Sequence, residues 1–213
     1  LGRNGLAKQR WRILLDNVDF TTQLKLSEYA KNQQWFELAV DASIVAKAWD
    51  YLSLRLPNAY SEYFNAALQN LNISKTFAMA IARQESAWHP MAQSSANARG
   101  LMQLLPSTAK LTAENNQLPY QGEQDLFKPL NNILLGTAHL NELNGKYPNN
   151  RILIAAAYNA GANRVEKWLS RASGKLALDE FVASIPFYET RGYVQNVVAY
   201  DFYYQILQNK ENP

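Results

Sequence analysis

The chain has no cysteine, which excludes disulfides and cysteine-based metal sites and leaves the redox character of its compartment open. Histidine occurs twice, as His89 and His139, far apart and without a partner at ligand spacing. A zinc-hydrolase pattern or a Ser/His/Asp triad lacks raw material, so no metal and no cofactor are expected. Proline and glycine are scarce, eight and nine among 213 residues, while alanine, leucine and glutamine are frequent. That composition favours helix. No run is apolar enough to span a membrane, and no signal peptide or initiator Met precedes Leu1. We therefore expect a fragment or processed product of a longer chain. Nor does one sign of charge dominate: 21 Lys and Arg against 18 Asp and Glu leave +3, with the basic residues scattered. Nucleic-acid binding usually shows a clustered basic stripe, so no nucleic-acid partner is expected. The slight positive balance suits an anionic polymer or an ordinary solvated surface equally well.

What is present is a globular composition, 47% hydrophobic and 18% charged, in a chain long enough for a substantial core. Helical periodicity runs through Leu6–Asn17, Thr22–Asn32 and Trp35–Asp50. These pairs resemble one stretch of an α-solenoid. Leu56-Pro57-Asn58 interrupts them, because the residue before proline avoids helix. A helix at Ala59–Asn70 leads into a second part beginning near Leu71, so we divide the chain into residues 1–70 and 71–213. Helices are expected there at Ser74–Ser86, Gly100–Leu105, Ser107–Asn115, Asn131–Tyr147, Arg151–Asn159, Arg164–Ser170 and Tyr188–Asn209. The last carries Tyr193, Val197, Tyr200, Tyr204 and Leu207 on one stripe, which reads as core packing. The loop Ala87–Arg99 is the longest break near the most unusual residue of the chain.

That residue is Glu85. In the helix starting at Ser74, which can cap its first turn, Phe77, Ala78, Ile81, Ala82 and Glu85 share one face. Four belong in a core; the fifth is ionisable and sits near the helix C-terminus, where the macrodipole disfavours negative charge. Burial and dipole both raise a carboxyl pKa, at about 1.4 kcal/mol per unit. A proton held near neutrality is what a general acid needs. The bland alternative turns Glu85 to solvent or pairs it with Arg83 or Arg99.

Four segments stand together: Glu85-Ser86; Ser94-Ser95-Ala96-Asn97-Ala98-Arg99-Gly100-Leu101-Met102-Gln103-Leu104-Leu105-Pro106; Ala156-Ala157-Tyr158-Asn159-Ala160-Gly161; and Ile185-Pro186-Phe187-Tyr188-Glu189-Thr190-Arg191-Gly192-Tyr193-Val194. Each alone has an ordinary structural reading. Gly161, for example, can be a plain helix C-cap. In this order and spacing the set is specific. From about Ser74 to Leu207 the sequence resembles the soluble lytic transglycosylases, whose catalytic domain has a goose-type-lysozyme-like fold. The earlier helices resemble, less sharply, the helical linker of the large soluble periplasmic member. The resemblance implies a mostly α fold, with a lysozyme-like catalytic domain behind a superhelix-like linker. It implies Glu85 as sole catalytic acid and base, with Ser94, Gln103, Tyr158 and Glu189 around a sugar cleft and Met102, Thr108 and Asn159 nearby. It also implies a periplasmic location and peptidoglycan glycan strands as partner.

Two departures from the family pattern stand out. Asn97 replaces the usual glycine, and Asn is the non-glycine residue that best tolerates a left-handed backbone. Leu105 replaces a common second methionine, conserving volume but not that softer side chain. The acid inventory points the same way as the resemblance. Ordinary glycosidases need two carboxylates, and no Asp or Glu lies between Ser86 and Ala113. One carboxylate suffices if it protonates the glycosidic oxygen and then accepts the proton of the substrate's own C6 hydroxyl as that attacks C1. The expected reaction cleaves between N-acetylmuramic acid and N-acetylglucosamine and leaves 1,6-anhydromuramoyl ends. The alternatives are a hydrolytic muramidase on the same scaffold, with Glu189 as second carboxylate, and a noncatalytic wall-binding module.

Overall fold

Side-chain caps start several helices. Asp19 accepts from the Thr22 N–H at 2.9 Å, Ser74 from Phe77 at 3.4 Å and Asn150 from Leu153 at 3.1 Å. Each satisfies a donor that the first turn leaves without a partner. Pro106 and Pro129 open two further helices, where the missing N–H costs nothing. The computed structural model describes residues 2–172 and 176–211. Among these the first part holds α1 (Gly2–Asp16), α2 (Phe20–Asn32), α3 (Phe36–Val45), α4 (Leu52–Arg55) and α5 (Ser61–Leu68). Next come α6 (Lys75–Ser86), α7 (Pro106–Asn116), a 3₁₀ turn at Glu123–Phe127, α8 (Pro129–Lys146) and α9 (Arg151–Ala160). Finally come α10 (Ala162–Ala172), α11 (Leu178–Ser184) and α12 (Tyr188–Glu211). The described residues contain no strand, only isolated bridges pairing Arg99 with Gln93 and Leu104.

One expected helix is absent. Gly100–Leu105 forms tight turns, because Gly100 (φ +78°) and Gln103 (φ +49°) lie in the left-handed region. The stretch read as one helix over Trp35–Asp50 ends at Val45, with Lys47 at φ +52°. Leu52–Arg55, Glu123–Phe127 and Leu178–Ser184 are short turns of helix that periodicity does not mark.

The catalytic-candidate helix α6 lies at the centre. Residues 77–83 are all buried, so it is enclosed on every side rather than along one stripe. It packs on α12 and α5, while α9 lies on α12. At its N-terminal end Arg151 ties three helices together, with Nη1 on Asp201 of α12 at 2.5 Å and Nη2 on the Ser74 cap at 3.2 Å. At its other end Ala87 (φ +49°) and Trp88 (φ +68°) turn the chain sharply. The Trp88 indole is fully buried between Phe64, edge-on at 5.9 Å, and Tyr60 at 6.0 Å. His89 Nδ1 then meets Glu37 of α3 at 3.0 Å.

Candidate active site

Glu85 occupies the last turn of α6, and its side chain is only partly accessible. It pairs with neither arginine considered above. Arg83 turns into the core, donates to the Arg55 carbonyl at 2.7 Å and lies over the Tyr200 ring. Arg99 binds Glu123 at 3.0 Å. The partner of Glu85 is Tyr193, whose hydroxyl donates to Oε1 at 2.8 Å. Burial pushes the Glu85 carboxyl up to about 7; the Tyr193 bond pulls it down and the charge of Glu189 pushes it up. Tyr193 carries a second role that its place on the stripe does not reveal. It is buried, as a core stripe requires, yet it also delivers a hydroxyl to the acid. Stripe geometry places the ring and is silent on the phenol.

The segment after α6 forms the neighbouring wall. Asn97 adopts φ +70°, the left-handed conformation expected of it. Its Oδ1 also accepts from Gln93 Nε2 at 2.9 Å and from Arg99 Nε and Nη2 at 3.1 and 3.0 Å, a contribution glycine could not make. Ser94 is exposed and its Oγ accepts from the Ala98 N–H at 3.1 Å. Gln103 spends its amide N–H groups inside the turn, on Ala92 O at 3.0 Å and Gly100 O at 2.9 Å. Thr108 stands half-buried on the first turn of α7.

Met102, expected near the sugar, is fully buried with its sulfur pressed on Gly136. Its side chain has no surface to offer a ligand. Its carbonyl instead accepts from the Tyr158 hydroxyl at 2.7 Å. The Tyr158 hydroxyl therefore bonds the loop and not the Glu85 carboxyl, which Tyr193 holds. Tyr158 still feels the acid: burial, and then the Glu85 charge, hold its phenol well above the ordinary range. Its ring packs against both apolar clusters and lies 5.4 Å from the His139 ring. Asn159 Oδ1 accepts from Thr190 at 2.7 Å, joining the end of α9 to the first turn of α12. Beside this bond opens a cavity of about 490 Å³ lined by Asn159, Arg164, Phe187, Tyr188 and Glu189. Glu189 is exposed there.

Around the raised Glu85 carboxyl thus stand one phenol bonded to it and polar groups from the neighbouring motifs. The family model for the transglycosylase SLT domain matches residues 62–180. The chain belongs to that family. Models for the soluble lytic murein transglycosylase L domain and the soluble lytic transglycosylase helical domain match residues 1–52 and 184–213. A Haemophilus influenzae protein is 99% identical over all of the chain, which covers 36% of that protein. The soluble lytic murein transglycosylase of Salmonella typhimurium is 46% identical over 93% of the chain and 31% of its own length. The crystal structure of the 70 kDa soluble lytic transglycosylase of Escherichia coli superposes with a TM-score of 0.94 at 44% identity. That match covers 96% of this chain and 33% of the other. The chain thus spans about a third of the length of the relatives it matches. Among the described residues no group of three His, Asp or Glu side chains is placed to hold a metal ion. No described helix is long and apolar enough to cross a membrane.

Proposed function

We propose that the chain is the catalytic part of a lytic transglycosylase that cleaves the MurNAc-β-1,4-GlcNAc bond of peptidoglycan and leaves 1,6-anhydromuramoyl ends. The observation that carries this reading is the half-buried Glu85 carboxyl, which desolvation pushes up to about 7. Near neutral pH it can start protonated and donate to the glycosidic oxygen. The carboxylate left behind takes the proton of the muramoyl C6 hydroxyl as that oxygen attacks C1 of the same sugar. Well-oriented intramolecular attack reaches effective molarities on the order of 10⁵ M or more, so no activated water is required. Tyr193 holds one carboxyl oxygen and leaves the other for the proton. Ser94, Gln103, Thr108, Asn159 and Glu189 line the sugar path, and Tyr158 and Met102 shape it from behind. A Pseudomonas aeruginosa relative, 36% identical with a TM-score of 0.88, was solved as an inactive Glu-to-Gln variant. The same exchange at Glu85 is the change we expect to silence this chain.

In this reading residues 71–213 carry the chemistry, residues 1–70 form a helical linker, and the protein works on the murein of the periplasm. A hydrolytic muramidase is the second reading, because the charge of Glu189 reaches Glu85. Cleavage of sacculi in ¹⁸O-water separates the two. We expect unlabelled muramoyl ends, lighter by one water than hydrolytic ends. A main product with ¹⁸O at a reducing end makes the enzyme a muramidase, and absence of turnover makes the chain a binding module.

A further inference from the structure

Asn132, in the first turn of α8, is fully buried, and its side chain serves only backbone groups outside its own helix. Its Oδ1 accepts from the Met102 N–H at 2.8 Å. Its Nδ2 donates to the Arg99 carbonyl at 2.9 Å and to the Leu126 carbonyl at 2.8 Å. Both amide protons are thus used. The approach is close: a Cβ on Gly100 would lie 2.3 Å from Asn132 Nδ2 and 2.0 Å from Leu126 O. One turn on, Gly136 faces the same way, and a Cβ there would lie 2.3 Å from Met102 Sδ. Helix α8 therefore grips one residue twice, by its N–H and by its side chain. The carbonyl of that same residue holds the Tyr158 hydroxyl.

We infer that Asn132 is a positioning residue for the reaction, fixing Met102 so that its carbonyl parks the Tyr158 hydroxyl at the wall beside Glu85. The inference rests on the functional reading above. It adds a route from a buried amide to the reacting groups, running through the backbone of one residue, Met102. Low dielectric around a fully satisfied amide makes such a hub stiff, and a partly satisfied one costly. A shift of about 1 Å at a supporting position can cost on the order of 10² in rate.

A double-mutant cycle tests it. Rates of anhydromuropeptide release are measured for wild type, Asn132→Ala, Tyr158→Phe and the pair, well below each melting temperature and per folded molecule by circular dichroism. If Asn132 acts through Met102 and Tyr158, the pair is no slower than the slower single variant by more than about threefold, since coupled residues are not additive. Losses that multiply overturn the inference, as does a silent Tyr158→Phe, which leaves nothing to transmit to. Should Asn132→Ala not fold, Gly136→Ala replaces it in the cycle. That variant keeps the three amide bonds, displaces the Met102 sulfur, and is expected to show the same non-additivity. Multiplying losses there overturn the inference too. Loss of anhydro product in the wild type would instead sink the functional reading.

Discussion

In α1–α3 the side chains of Leu6, Ile13, Leu14, Phe20 and Ile44 remain well exposed, whereas α6 is buried on every side from Phe77 to Arg83. Both regions are helical, and both are rich in apolar residues. The first is joined by a small set of fully buried side chains, Leu15, Ala30, Ala39 and Ala42, and by polar ties: Trp11 Nε1 to Leu38 O at 3.0 Å, Ser27 Oγ to Ala39 O at 2.7 Å, and Arg12 to Asp41. The second is joined by one continuous apolar core that runs from Phe77 through Ile154 to Val197. Apolar periodicity dictates helix in both places, but only mutual burial makes a cavity rigid enough to shift a carboxyl pKa. The difference predicts where a substitution should reach the chemistry.

The largest effect belongs to Glu85→Gln, which should cost about 10⁴ or more in turnover, since one residue serves both proton transfers. Turnover above a tenth of wild type would remove Glu85 from the mechanism. The same variant should be the more stable protein at high pH. The folded carboxyl titrates near 7, above its ordinary value, so the stability it contributes is present below about 4.5 and lost as pH rises through 7. Melting curves at pH 5 and pH 8.5 should converge at the lower pH and separate by a few kcal/mol at the higher, at about 1.4 per unit.

Tyr193→Phe comes next, at roughly tenfold in turnover, with a signature in pH. Its bond favours the carboxylate, so losing it raises the Glu85 pKa. Activity, which needs the protonated acid, should then persist to higher pH than in wild type. Glu189→Gln works in the opposite sense: removing that negative charge lowers the Glu85 pKa and moves the alkaline limb down. A kcat/KM profile on soluble glycan strands reads both. If the two variants move the limb in the same direction, the electrostatic account of Glu85 is wrong.

The smallest effect on chemistry should come from the first region. Arg12→Ala leaves Asp41 buried without its ion pair, yet the arginine is half-exposed, so about 1 kcal/mol of stability is expected to go. Turnover at 25 °C should stay within about twofold, because additivity holds for distant sites. A tenfold loss would mean that the two regions are not as separate as their packing suggests.

Much of this was legible in the chain itself. Ser74 as a cap, Asn97 in a left-handed turn, Gly161 ending α9 and Glu85 closing a buried helix all follow from local stereochemistry. What escaped depends on groups far away in sequence. Gly100–Leu105 has helical composition, but the bonds of Asn132, some thirty residues later, stabilise turns instead. The short helices α4 and α11 lack a period to read, since four and seven residues make too few turns to show a face. Tyr193 was placed correctly on the buried stripe, yet which hydroxyl meets which carboxyl is decided by how α12 crosses α6. Met102 lay inside a motif read as a cleft, and its burial is set by a glycine on α8.

Trp88 follows Glu85 by three residues, and the rings that seat it, Tyr60 and Phe64, come from before residue 70. The Tyr204 hydroxyl likewise donates back to the Pro57 carbonyl at 3.1 Å. A graft that moved residues 71–213 into another scaffold would carry every proposed reacting group and leave behind the walls around the turn that ends α6. The indole would face water, and the last turn of α6 would lose its anchor. The smallest exchangeable piece of this chain is therefore larger than its chemistry. Recombination between relatives should preserve the segment from about Leu56 onward as a single inheritance.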